Sequence, residues 1–259
     1  MKSNEAARVP GRLVFWGAPS RGTARTGLLV SLFLGTFLCA ALAGATAYFL
    51  RSELREARVN QGEREAVRLL VTIAAAEDRF RDEARMDADG DGRGEYGFLQ
   101  ELADVAWRHG ARSAARSGPL LPAEIGWSVA REGVGIRRGY CFLVYLPGPA
   151  VAIPESHPLP ESGPSGRTAD RQEEHWVAYA WPLEHGVSGR RAFAVSEERT
   201  VLVTPNVEDP YQGPRARVPE AASAFDSLGP DAANLGSGLA GLTGGRPVDG
   251  RTWSRVEHE

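Results

Sequence analysis

Cysteine is scarce in this chain of 259 residues, which contains only Cys39 and Cys141. Cys39 lies in an apolar stretch and Cys141 in a predicted strand, so we expect no disulfide between them. Two cysteines are also too few for a Cys-rich zinc site. The composition therefore excludes a disulfide-stabilised scaffold.

The sequence also lacks motifs that mark several enzyme classes. It has no Walker phosphate-binding loop, no GxSxG nucleophile elbow and no HExxH motif. The five histidines are too far apart in sequence to form a local zinc site: His109, His157, His175, His185 and His258. We therefore predict that the chain has no catalytic residues and is not an enzyme.

Neither sign of charge dominates the chain. It contains 30 Lys and Arg residues and 33 Asp and Glu residues, for a net charge of −3. These charges are interspersed rather than grouped in blocks, which argues against nucleic acid as a partner. Apolar residues make up 42 %, enough for the chain to bury a core.

Charge is completely absent from one long segment, residues 27–50. As a helix this segment would be roughly 36 Å long, enough to cross a hydrocarbon core of about 30 Å. We predict an uncleaved transmembrane helix that contacts the lipid bilayer. Two alternatives are a cleaved signal peptide, since Ala45 and Ala47 fit its small-residue rule, and a lipoprotein site at Cys39. Leu38 argues against the second, because a small residue belongs there.

The helical pattern continues beyond the apolar segment. Apolar residues recur at helical spacing up to Phe80, with Glu and Arg interleaved, and Gly62 is the only weak position between Arg51 and Met86. From Ile125 onward the pattern changes to β-branched and aromatic runs separated by Gly and Pro. We predict five strands there, of which neighbouring ones pair antiparallel: 126–131, 139–146, 175–181, 191–195 and 200–204.

The rest of the chain is divided as follows. Residues 1–26 form a tail, 51–86 an amphipathic extension of the helix, 87–204 a globular head and 205–259 a Pro/Gly-rich segment. A short helix is expected to begin at Phe98, and 111–124 is expected to be a loop. Residues 235–245 are glycine-rich and are expected to be flexible, with Trp253 returning to the core.

An acidic loop carries the one pattern with specific chemistry. Asp87, Asp89, Asp91 and Glu95 occupy positions 1, 3, 5 and 9 of a calcium-binding loop, and the carbonyl of Arg93 would occupy position 7. Position 12 is Phe98 instead of Glu, so Glu101 or Asp104 would have to replace that ligand. The alternative is a metal-free turn, because Asp side chains also bond to nearby backbone amides.

The order of these segments resembles type IV pilins and pseudopilins. Segments 67–81, 87–102, 139–149 and 176–204 are similar to pilin-like proteins of planctomycetes and related bacteria. The resemblance implies an α+β fold in which a long transmembrane and amphipathic helix packs on a small antiparallel sheet of four or five strands. The chain departs from the prepilin pattern, since no acid occurs in residues 27–50, so we expect no prepilin-type cleavage.

These observations lead to one functional prediction. We expect a single-pass protein of the bacterial inner membrane, with its N-terminus in the cytoplasm and its head in the periplasm. The head would serve a structural or interaction role, with Ca²⁺ as a candidate ligand and pilin-like or secretion-system subunits as candidate partners. The alternative is a tethered hydrolase or carbohydrate-binding module that uses the aromatic residues of the strands.

Overall fold

The structure is a computed structural model that describes residues 22–106, 118–156 and 164–256. The side chains of residues 22–33, 35 and 40 lie outside this description, as do residues 1–21 of the predicted tail. Part of the predicted transmembrane segment 27–50 therefore lies outside it too. Over the described residues, no helix is both long enough and apolar enough to span a membrane.

The chain divides into two compact units, Met1–Glu53 and Leu54–Glu259. The first helix, α1 (Gly22–Asp82), contributes residues to both. In the first unit the described large apolar side chains of α1 are exposed: Leu34, Phe37, Leu38, Leu42, Tyr48, Phe49 and Leu50. The second unit contains all the other elements.

Four more helices and seven strands follow α1. The helices are α2 (Leu99–Leu102), α3 (Ala123–Glu132), α4 (Arg167–Gln172) and α5 (Ala240–Thr243), and a 3₁₀ turn spans Ala232–Asn234. The strands are β1 (Gly135–Arg137), β2 (Tyr140–Leu146), β3 (Ile153–Pro154), β4 (Val177–Pro182), β5 (Ala192–Ser196), β6 (Leu202–Thr204) and β7 (Ser254–Arg255).

The strands form one antiparallel sheet with the order β1-β2-β4-β5-β6-β7, and β3 also pairs with β2. The central pair, β2 and β4, is in register from Tyr140 opposite Pro182 to Tyr145 opposite Val177. The predicted α+β class is therefore confirmed. The described sheet has seven strands rather than four or five. The unpredicted strands β1, β3 and β7 have only two or three residues each, whereas β6, which is also short, lies in the β-branched run 200–204.

One face of the sheet packs against α1. The helix presents apolar side chains at positions 66, 69, 70, 73, 76 and 80, a spacing that places them on one side. They belong to the same core cluster as the apolar residues on this face of the sheet: Tyr140, Phe142, Val144, Ala178, Ala180, Phe193 and Val195. Ile73 and Phe80 have no solvent exposure, so this face is a closed core.

The opposite face of the sheet is covered by the C-terminal part of the chain. Val177, Tyr179 and Trp181 alternate with the residues that face α1 and pack in a second core. Its other layer comes from residues after β6: Tyr211, Ala224, Phe225, Leu235, Leu239 and Trp253. The predicted return of Trp253 to the core is confirmed, and buried Leu235 and Leu239 lie in the stretch expected to be flexible.

The prediction of a strand at 126–131 is wrong, because these residues lie in α3. Pro122 precedes the helix, and Gly133 ends it with φ +78°. Ile125 and Val129 are buried four residues apart, whereas Trp127 is 56 % exposed. This spacing is typical of a helix. The Pro before the segment and the Gly after it are the sequence signals that favour a helix over a strand.

Candidate cation site

The acidic loop follows α1 directly, and its carboxylates bond to its own backbone. Asp87 accepts hydrogen bonds from the amides of Gly90 (2.8 Å) and Gly92 (3.2 Å). Asp89 accepts from the amide of Asp91 (3.2 Å), and Asp91 from that of Arg93 (2.8 Å). These bonds curl the chain, so that oxygens of Asp87, Asp89 and Asp91 lie within 4.8 Å of one another.

The side chains of the other residues of the predicted calcium loop make other contacts. Glu95 is fully buried and its Oε1 accepts a hydrogen bond from the amide of Ala88 at 2.9 Å. Arg93 places its guanidinium Nη1 3.1 Å from Glu173 Oε2. At position 12, Phe98 is buried, and its amide donates to Glu101 Oε2 at 2.9 Å. Neither Glu101 nor Asp104 belongs to a described group of three or more candidate ligands.

A second acidic group includes residues that sequence reasoning did not single out. Carboxylate oxygens of Asp170 and Glu173 lie within 4.8 Å of each other and of Asp89. Asp170 belongs to α4, and Glu173 is the first residue after this helix. About 80 residues separate them from the loop, so no local spacing could have indicated the contact.

The environment of Glu173 is unusual for a carboxylate. The residue is 4 % exposed, and its Oε1 has no hydrogen-bond partner among the described residues. Burial raises the pKa of the Glu173 carboxyl, and the charge of Asp91 adds to this shift, whereas Arg93 opposes it. A cation near Oε1 would relieve both the burial cost and the repulsion.

A separate set of buried carboxyls holds the chain from the end of the loop into α2. Glu77 Oε2 accepts from the amide of Gly97 at 2.9 Å, and Glu155 Oε1 accepts from that of Gln100 at 2.6 Å. Burial raises the pKa of Glu77 well above its ordinary value, and the charges of Glu101 and Glu155 raise it further. These acids replace backbone hydrogen bonds where the chain turns, a structural role.

The described histidines do not form a metal site. His175 Nδ1 lies 2.9 Å from Glu197 Oε1, and this hydrogen bond raises the pKa of His175. Neither His175 nor His185 belongs to a described group of three or more candidate ligands. His109, His157 and His258 lie outside the described residues.

A shallow groove lies between α1 and the turn that connects β1 and β2. Its lining includes Glu65, Arg68, Arg137 and Arg138 beside Phe142. Its one hydroxyl, that of Thr72, donates to the carbonyl oxygen of Arg68 at 2.9 Å. The groove therefore does not place a nucleophile beside a general base.

Comparisons of the chain with protein-family models, with curated proteins and with solved structures find no significant match.

Proposed function

We propose that this chain is a single-pass protein of the bacterial inner membrane whose head has a structural or interaction role in the periplasm. The observation that carries the proposal is the uncharged segment 27–50 within α1. In this segment Leu34, Phe37 and Tyr48 are each more than 70 % exposed. A helical segment with large apolar side chains this exposed needs a cover, and a bilayer supplies one.

The head itself supports a non-catalytic role. The aromatic side chains that a carbohydrate-binding module would present are buried, on one sheet face against α1 and on the other against the C-terminal segment. Trp127, which is exposed, lies on α3 and not on the sheet. No observation on the described residues favours the hydrolase or carbohydrate-binding alternative.

The proposed orientation and partners follow from the pilin-like plan. A helix that leaves the membrane and then covers an antiparallel sheet is the arrangement that the resemblance implies. We propose that the head contacts other pilin-like or secretion-system subunits in the periplasm. The missing acid in residues 27–50 favours a fixed anchor that is not processed.

The anchor is tested on the full chain expressed in a bacterium. We expect the protein to stay with membranes through an alkaline carbonate wash, to dissolve in detergent and to retain residues 27–50 on N-terminal sequencing. A variant without residues 27–50 should appear in the soluble fraction. A full chain that is washed off, or one that begins at Tyr48 or near Leu28, would contradict the proposal.

The orientation and role need two further measurements. Protease added to spheroplasts should cleave the head of the full chain, whereas a head in the cytoplasm would be protected. Crosslinking in native membranes, followed by mass spectrometry, should identify repeated contacts with pilin-like or secretion-system subunits. Crosslinks confined to unrelated soluble proteins would contradict the proposed role.

A further inference from the structure

Two parts of the chain bring carboxylates to one place. Asp89 belongs both to the group with Asp87 and Asp91 and to the group with Asp170 and Glu173. Asp89 is exposed, so its carboxylate can be reached from solvent. One acid therefore links the loop after α1 to the end of α4.

The buried acid in this group points to a ligand. Glu173 is 96 % buried, yet its Oε1 accepts no hydrogen bond from the described residues. Arg93 contacts only the other oxygen, Oε2, at 3.1 Å. A buried carboxylate oxygen normally has a partner, and leaving it without one is costly. A cation bound beside Asp89 would supply that partner.

The backbone holds the two parts in this arrangement. The amide of Tyr96 donates a hydrogen bond at 2.8 Å to the carbonyl oxygen of Gln172, the residue directly before Glu173. Arg171, beside Asp170, forms an ion pair with Asp231 of the C-terminal segment. The end of α4 is therefore held by contacts with both the loop after α1 and the C-terminal segment.

We propose that Asp170 and Glu173 complete a divalent-cation site with Asp87, Asp89 and Asp91, and that the ion is Ca²⁺. Ca²⁺ accepts six to eight oxygen ligands in flexible geometry, which suits carboxylates from two chain segments. Glu173 takes the role of the acid that Phe98 replaces at position 12 of the loop. Each Asp oxygen that accepts an amide keeps a lone pair for the ion.

The site has a chemical consequence for the head. The two overlapping groups contain five carboxylates, and the guanidinium of Arg93 forms an ion pair with one of them, that of Glu173. The site therefore has an excess of negative charge that a divalent ion would neutralise. Binding would also join the loop after α1 to α4 and through it to the C-terminal segment. The proposal does not depend on membrane attachment, so its failure would leave the proposed function intact.

The test is a Ca²⁺ titration of the full chain in detergent after treatment with a chelator, followed by calorimetry and thermal melting. We expect a dissociation constant in the range of about 10⁻⁴ to 10⁻³ M, which is typical of extracellular calcium modules. Glu173→Gln and Asp89→Asn should each weaken binding by on the order of tenfold, because each removes a charged ligand. Asp170→Asn provides an independent third variant, should either of these fail to fold.

Glu174→Gln is the matched control, because Glu174 is adjacent to Glu173 but belongs to neither acidic group. Its Ca²⁺ affinity should equal that of the native chain. No binding by the native chain up to about 10 mM Ca²⁺ would overturn the proposal. Unchanged affinity in Glu173→Gln and Asp170→Asn, with loss in Asp89→Asn, would also overturn it, since the loop would then bind the ion alone.

Discussion

At the scale of single residues, Gly62 shows how a tertiary contact can reverse the meaning of a residue. In the sequence it is a weak position in a long helix. In the structure a Cβ at this position would overlap the carbonyl oxygen of Ser188, in the connection between β4 and β5. The next residue, Glu63, accepts hydrogen bonds from the amides of Arg190 and Arg191. Gly62 and Glu63 therefore hold α1 against this connection.

We expect Gly62→Ala to destabilise the protein by about 1–3 kcal/mol, because the added methyl group forces the backbone at Ser188 to move. Helix propensity alone predicts the opposite sign, a gain of about 1 kcal/mol. Chemical denaturation of the full chain in detergent, followed by tryptophan fluorescence, measures the change. Asn60→Ala is the control, since Asn60 is exposed on the same helix and should gain a few tenths of a kcal/mol. A gain for both variants would show that α1 does not approach Ser188.

At the scale of elements, α1 depends on its burial against the sheet. Its residues from 54 to 82 include many strong helix formers, but a helix in water gains most of its stability from an apolar face that is covered. Ile73 lies on that face with no exposure, whereas Val71 is 51 % exposed. Two β-branched residues on one helix, two positions apart, thus lie in opposite environments.

This difference yields a paired test. Ile73→Asp should destabilise the head by several kcal/mol, on the order of 3–5, because it places a charge without a partner in the core. Val71→Asp should cost less than about 1 kcal/mol, since its side chain remains in water. Thermal melting of both variants beside the native chain is the measurement. Equal melting temperatures for the two variants would contradict the packing of α1 on the sheet.

At the scale of the whole molecule, both faces of the sheet are covered, and the second cover is the last part of the chain. Trp253 is 5 % exposed and packs edge-to-face on Tyr179, with ring centroids 6.0 Å apart. Its Nε1 donates to the carboxylate of Asp249 at 3.1 Å. Directly after it, β7 pairs with β6 and extends the sheet. The C-terminal segment is therefore part of the folded unit.

We expect Trp253→Ala to cost about 3–5 kcal/mol, the usual result of removing a large buried aromatic side chain. Leu228→Ala is the control in the same segment, because Leu228 is 86 % exposed and should change stability by less than about 0.5 kcal/mol. The two variants are compared by chemical denaturation. A loss below about 1 kcal/mol for Trp253→Ala would mean that the sheet is stable without this cover.

The sequence by itself determined the long helix, the strands β2, β4, β5 and β6 and the acidic loop, because each is a local pattern: helical spacing, β-branched and aromatic runs, alternate Asp residues. Strands β1, β3 and β7 show no such pattern. Residues 126–131 were predicted to be a strand from their aromatic and β-branched residues, although Pro122 and Gly133 mark the ends of a helix there.

Only the tertiary structure decided which distant residues meet. It buried Glu173 beside Asp89, placed Ser188 over Gly62 and set the C-terminal segment on the second sheet face. These contacts join residues that are far apart in the sequence: 84 positions for Glu173 and Asp89, 126 for Ser188 and Gly62, and 74 for Trp253 and Tyr179. They therefore depend on how the sheet closes and not on the spacing of neighbouring residues.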